Sequence, residues 1–140
     1  MEYGGGTGAV TVELLKKLPQ DGKLIVVELQ DEFVKVLREI EDPRLTVLHD
    51  NVEVCSSKLR EFYKDGPDAV VCGIPFLFFS EASRKTIIQN TKEGMNEHGR
   101  FIVYQHSLQL LSQLKSTFNI VKLDLELRNF PPYIVMTAFK

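Results

Sequence analysis

The chain has 140 residues, 44% of them hydrophobic, with 17 Lys and Arg against 19 Asp and Glu and a formal net charge of −2. That length matches a single domain, and that much apolar material offsets chain entropy, which excludes a disordered chain. The near-neutral charge argues against an obligate nucleic-acid binder, and no apolar run approaches the ~18 residues of a membrane span. With no basic segment and apolar core at the N-terminus to act as a secretion signal, the chain reads as cytoplasmic.

Taken in order, short apolar runs alternate with helical stripes. Lys23–Glu28, Arg44–His49, Asp68–Cys72 and Arg100–Gln105 are bounded by Gly, Pro or Asp, as buried strands are. Between them, Val10, Leu14, Leu15 and Leu18 share one helical face, and Phe33, Val34, Leu37 and Ile40 share another in a segment that Asp31 can cap. A weaker helix carries Leu59, Phe62 and Tyr63. A better one carries Ile87, Ile88 and Thr91 and opens at Ser80, and a third opens at Ser107 with Leu108, Leu111, Leu114 and Phe118. This order predicts an α/β, doubly wound, mostly parallel sheet. The last two runs, Ile120–Leu127 and Tyr133–Phe139, are joined only by Arg128–Pro132, too short for a crossover helix, so they are expected to pair antiparallel.

Cys55 and Cys72 are too few for a disulfide framework and are expected as reduced, buried thiols. His49, His98 and His106 lack the spacing that puts two imidazoles on one ion, so no metal site is expected.

The first chemistry-bearing element is Glu2-Tyr-Gly4-Gly5-Gly6-Thr7-Gly8, which ends a very short strand and leads into a helix. Glycines there allow tight turning and let a ligand approach main-chain N–H groups. Glu28, at the end of the second strand, can accept from ribose hydroxyls, a feature shared by NAD and adenosylmethionine sites. Asp50 and Asn51, past the third strand, can bond an adenine amino group, with Leu29 covering the ring.

The ordered set of Glu2-x-Gly4-x-Gly6-x-Gly8, Glu28, Asp50 and Asp68-Ala-Val-Val-Cys-Gly73-Ile74-Pro75-Phe76 resembles the motif series of class I S-adenosylmethionine-dependent methyltransferases. The resemblance covers nearly the whole chain. It implies a Rossmann-like seven-stranded sheet with an antiparallel last strand, and S-adenosyl-L-methionine as cofactor.

The Gly73-Ile74-Pro75-Phe76 segment is similar to the Asn-Leu-Pro-Tyr motif of the ribosomal RNA adenine dimethylases, which implies a role in orienting the acceptor nitrogen. Gly73 lacks the side-chain amide that holds an adenine amino group, so nucleic acid is the less favoured acceptor. Together with Arg128-Asn129-Phe130-Pro131-Pro132, the segment is closer to the bacterial phospholipid N-methyltransferases. That resemblance implies an amine acceptor on a phospholipid head group or a similar small amine, with Arg128 and Asn129 as substrate contacts and Arg128 facing phosphate. Tyr104 and His106, at the end of the fifth strand, are candidates for the acceptor pocket, His106 to take the acceptor's proton.

In that family further helices and the rest of the first strand precede the glycine loop. A chain whose loop starts at residue 4 is therefore expected to be shortened at its N-terminus, and the resulting exposed apolar surface to favour a homo-oligomer. In the lipid enzymes those elements contact the membrane, so peripheral membrane contact is a further expectation.

Overall fold

The computed structural model describes residues 1–128 and 130–140. Seven strands form one sheet: β1 Glu2–Tyr3, β2 Leu24–Glu28, β3 Leu45–His49, β4 Ala69–Cys72, β5 Arg100–Gln105, β6 Ile120–Glu126 and β7 Tyr133–Phe139. Their order is β3-β2-β1-β4-β5-β7-β6. β1 to β5 pair parallel, and β7 enters antiparallel between β5 and β6. This is the doubly wound sheet with an antiparallel final hairpin that the alternation predicts.

The helices are α1 Ala9–Lys17, α2 Asp31–Arg38, α3 Val52–Ser56, α4 Leu59–Phe62, α5 Glu81–Gly94 and α6 Leu111–Thr117, with a 3₁₀ turn over Phe76–Phe78. β2 shows why four apolar residues, Leu24–Val27, run together in it. Its side chains alternate faces, so Leu24 and Val26 pack with Leu15 of α1 and Leu37 of α2 on one side. Ile25 and Val27 join the larger core on the other, with Tyr3, Cys72, Phe101, Ile88 and Leu114. Cys55 and Cys72 are free and buried there.

Three local expectations change. The helix after β5 starts at Leu111 with Leu110 as its cap residue, so Ser107 does not open it and Leu108 is exposed. Asp31 is the first residue of α2 and Gln30 precedes it as the cap residue, with no side-chain cap bond; the Asp31 charge still favours the helix N-terminus. α3 was not foreseen, because Asn51 reads as a ligand contact, whereas its side-chain oxygen accepts from Glu53 N–H at 2.9 Å and caps that helix. Ser80 caps α5 as expected, accepting from Ser83 N–H at 3.0 Å.

Candidate functional site: two cavities sharing one wall

The C-terminal ends of β1, β2, β3 and β4 surround a cavity of about 450 Å³. In an open α/β sheet this edge is where ligands bind. Of the residues singled out from the sequence, Gly4, Gly6, Glu28, Leu29, Asp50, Asn51, Gly73, Ile74 and Pro75 line it. Phe33, which reads in the sequence as part of a packing face, adds apolar wall together with Val52, Phe78 and Phe79.

Glu28 organises this cavity. One carboxylate oxygen accepts from Leu29 N–H at 2.8 Å and Gln30 N–H at 2.9 Å, and the other accepts from Gly6 N–H at 3.0 Å. Three of its roughly four lone-pair sites are thus filled by main chain, so the carboxylate ties the glycine loop to β2 and keeps one acceptor position for a ligand hydroxyl. Asp50 is exposed at the cavity and accepts from Asn51 N–H through one oxygen. With the Asn51 oxygen committed to its cap, Asp50 is the group left to accept from an amino group.

The glycines divide by role. Gly4 has φ +77°, and a Cβ there would lie 2.8 Å from the Ile74 side chain, so the loop can lie against β4 only without one. Gly6, at φ +52°, has nothing among the described residues within 4 Å of where its Cβ would stand and faces open cavity. Gly5 and Gly8 do not line the cavity; a Cβ at either would meet core side chains, Val26 and Leu37 for Gly5 and Ile40 for Gly8. Thr7 points to solvent.

Glu2 also lies off the cavity wall, fully buried. Thr11 Oγ1–H donates to one of its oxygens at 2.6 Å, while Oε1 has no partner among the described residues. Burial pushes its carboxyl up to about 7, against the lowering hydrogen bond from Thr11.

A second cavity, of about 370 Å³, lies on the other side of Gly73-Ile74-Pro75. Tyr104, His106 and Tyr133 line it, with Phe76 and Leu77. Phe76 is only 1% exposed and packs in the core, so the partly exposed Tyr104 and Tyr133 present the aromatic faces. Tyr133 packs edge-on to Tyr104 at 5.6 Å and stacks on His106 at 4.1 Å between centroids.

His106 Nδ1 lies 3.0 Å from the Pro132 carbonyl. A carbonyl only accepts, so Nδ1 carries the proton and a neutral ring keeps Nε2 as a base. Burial raises the Tyr104 hydroxyl above its usual range, with a smaller push from Glu2, which keeps it a neutral donor.

Arg128 does not reach this cavity. Its guanidinium pairs with Glu126 at 2.6 and 2.8 Å on the hairpin surface, where side-chain entropy is offset by a short local ion pair. Asn129 lies outside the described residues.

The first cavity fits a nucleoside. It combines acceptor-only carboxylates at Glu28 and Asp50, apolar cover from Leu29, Phe33 and Val52, and open space at Gly6 that a side chain would fill. Sheet order, antiparallel hairpin and cavity position together give the chain the class I S-adenosylmethionine-dependent methyltransferase fold.

The relatives agree with that class. An ornithine lipid N-methyltransferase from Singulisphaera acidiphila is 24% identical over 135 residues, covering 94% of this chain and 70% of that one. The N-methyltransferase NodS from Bradyrhizobium japonicum superposes with a TM-score of 0.75 at 11% identity, over 99% of this chain and 83% of its own. Spermidine synthase from Thermotoga maritima superposes with a TM-score of 0.76 at 18% identity, again over 99% of this chain. This chain spans about half the length of that synthase, 51%. At these identities the structural likeness speaks for the fold alone. No protein-family model matches the chain.

Proposed function

We propose that the chain is an N-methyltransferase that binds S-adenosylmethionine in the first cavity and methylates an amine held in the second. The amine belongs to a lipid head group or a similar small molecule. The observation that carries this reading is the shared wall: Gly73, Ile74 and Pro75 line both cavities. A donor and an acceptor bound on its two sides meet at one corner, which is the positioning that transfer between them needs.

The cofactor, when bound, supplies an electrophilic methyl group, so no nucleophilic side chain is required. Glu28 and Asp50 hold the nucleoside by its hydroxyl and amino groups, and Leu29, Phe33 and Val52 exclude water around it. Tyr104, Tyr133 and His106 present aromatic faces that attract an ammonium acceptor. His106 Nε2 takes the acceptor's proton before transfer.

Support for a lipid acceptor comes from the lipid-modifying relative and from the rim. Phe78 is 82% exposed and Phe130 102%, and Leu77 and Leu108 are exposed on the same sheet edge. Residues 73–80, 105–111 and 127–133 contain no Asp, Glu or Lys and a single Arg. Such a rim suits peripheral contact with a bilayer interface, and among the described residues no helix is long and apolar enough to cross one. Free buried thiols favour the cytoplasmic side.

The test is transfer of labelled methyl from S-adenosylmethionine to phosphatidylethanolamine or ornithine-lipid vesicles, compared with unmethylated ribosomal RNA. Label on lipid supports the reading. Label on RNA replaces it with a nucleic-acid methyltransferase, and cofactor binding without transfer replaces it with a binding module.

A further inference from the structure

β6 is an edge strand of unusual composition. Along its inner side it pairs with β7 residue for residue, from Ile120 opposite Phe139 to Glu126 opposite Tyr133. Among the described residues its outer side adjoins no strand, leaving a row of main-chain donors and acceptors of the kind that natural edges usually blunt. Val121, Leu123 and Leu125 share the face of their partners Ala138, Met136 and Ile134. α6 is only seven residues long, and Leu123 remains 46% and Leu125 60% exposed. Ile120, Lys122, Asp124 and Glu126 alternate onto the opposite face. Lys122 and Asp124 have no ion-pair partner among the described residues.

This strand is complementary to itself. Laid antiparallel on a second copy about a two-fold axis through Leu123, Lys122 stands opposite the partner's Asp124, Asp124 opposite the partner's Lys122, and Val121 opposite the partner's Leu125. The leucine faces then join on one side and all seven residues are paired. Shifting the axis to Asp124 or Lys122 places like charges opposite each other, and a one-residue slip sets the leucines against the charged face. Parallel pairing in register also opposes like charges. We infer that β6 is an interface between two copies of this chain, joined edge to edge through an antiparallel β6 pair centred on Leu123.

The contact is isologous, so it closes as a dimer and leaves no further edge of its own kind. One strand pair buries little area for a protein interface, so the dimer is expected to be concentration-dependent. Antiparallel joining points the two sets of cavities in opposite directions, so it neither completes nor covers them, and this inference stands apart from the methyltransferase reading.

Sedimentation velocity of the full chain across a wide concentration range tests it. The parent should pass reversibly from monomer to dimer. Lys122→Asp and Asp124→Lys should each weaken dimerisation by about tenfold or more by opposing like charges twice. The double swap Lys122→Asp with Asp124→Lys should restore it. Melting curves check that each variant is folded, and S-adenosylhomocysteine binding should be unchanged in all. A parent that stays monomeric, a parent that forms species larger than dimers, or a double swap no better than the single variants would overturn the inference.

Discussion

The Tyr104 side chain occupies the space that a side chain at position 73 would need: a Cβ built on Gly73 overlaps the Tyr104 hydroxyl and lies 2.6 Å from its Cζ. Gly73 and Tyr104 are neighbours across the β4–β5 ladder, one position beyond the paired Cys72 and Val103. The glycine thus admits the ring that walls the second cavity, and the hydroxyl makes no hydrogen bond among the described residues.

Gly73→Ala should fold, because the clash falls on the end of a movable side chain, but it should swing Tyr104 out of place. Turnover with a lipid amine should fall by roughly 10- to 100-fold, the cost of a misplaced acceptor. Binding of S-adenosylhomocysteine should stay near that of the parent. Steady-state kinetics with calorimetry checks both, and unaltered turnover would remove Tyr104 from the acceptor pocket.

Gly5 and Gly6 should separate stability from binding. A Cβ on Gly5 would lie 2.5 Å from Val26 and 2.9 Å from Leu37, so Gly5→Ala overpacks the core at a cost of about 1–3 kcal/mol. Gly6→Ala costs about 1–2 kcal/mol for its left-handed backbone and fills the open cavity as well. It should therefore lose most cofactor affinity, measured at a temperature where both variants are folded.

Glu2 sets a pH dependence. Burial pushes its carboxyl up to about 7 in the fold from an ordinary value of 4.5. Between those values the folded chain holds a proton that the unfolded chain has released, so stability falls as pH rises through that window. The loss is on the order of 3 kcal/mol. Glu2→Gln, which keeps an acceptor for Thr11, should melt higher than the parent at pH 8 and gain much less at pH 5. A melting difference independent of pH would contradict a buried, proton-holding Glu2.

His106→Gln, which leaves no imidazole Nε2 to take the proton, should lower the rate of lipid methylation at neutral pH by about 100-fold, the usual worth of a general base. Steady-state kinetics checks this, and an unaltered rate would assign the proton to another group.

How much of this was legible in the residue order depends on the range of the interaction. The runs Lys23–Glu28 and Arg100–Gln105 declared themselves because a central strand covered on both faces needs an unbroken apolar stretch, here Leu24–Val27 and Phe101–Tyr104. The glycine loop, Glu28 and Asp50 were legible because one strand end after another presents them in sequence. Phe33 and Val52 were not, since an apolar residue on a helix that packs on a sheet carries the same signal whether it meets core or cavity. The Tyr104 and Gly73 contact depends on the register between β4 and β5, which no local pattern encodes. Arg128 misled because its motif neighbours suggested phosphate, while Glu126, two residues away, offered a nearer carboxylate.

Glu28 and Asp50 are proposed to hold a nucleoside against the Gly73–Pro75 wall, and calorimetric titration of S-adenosylhomocysteine measures that hold. One site per chain is expected, weakened by about tenfold or more in Asp50→Ala through loss of a charged hydrogen bond, and nearly abolished in Glu28→Ala, where the glycine loop also loses its tether. No binding to the folded parent, or equal affinity in all three proteins, would contradict the account.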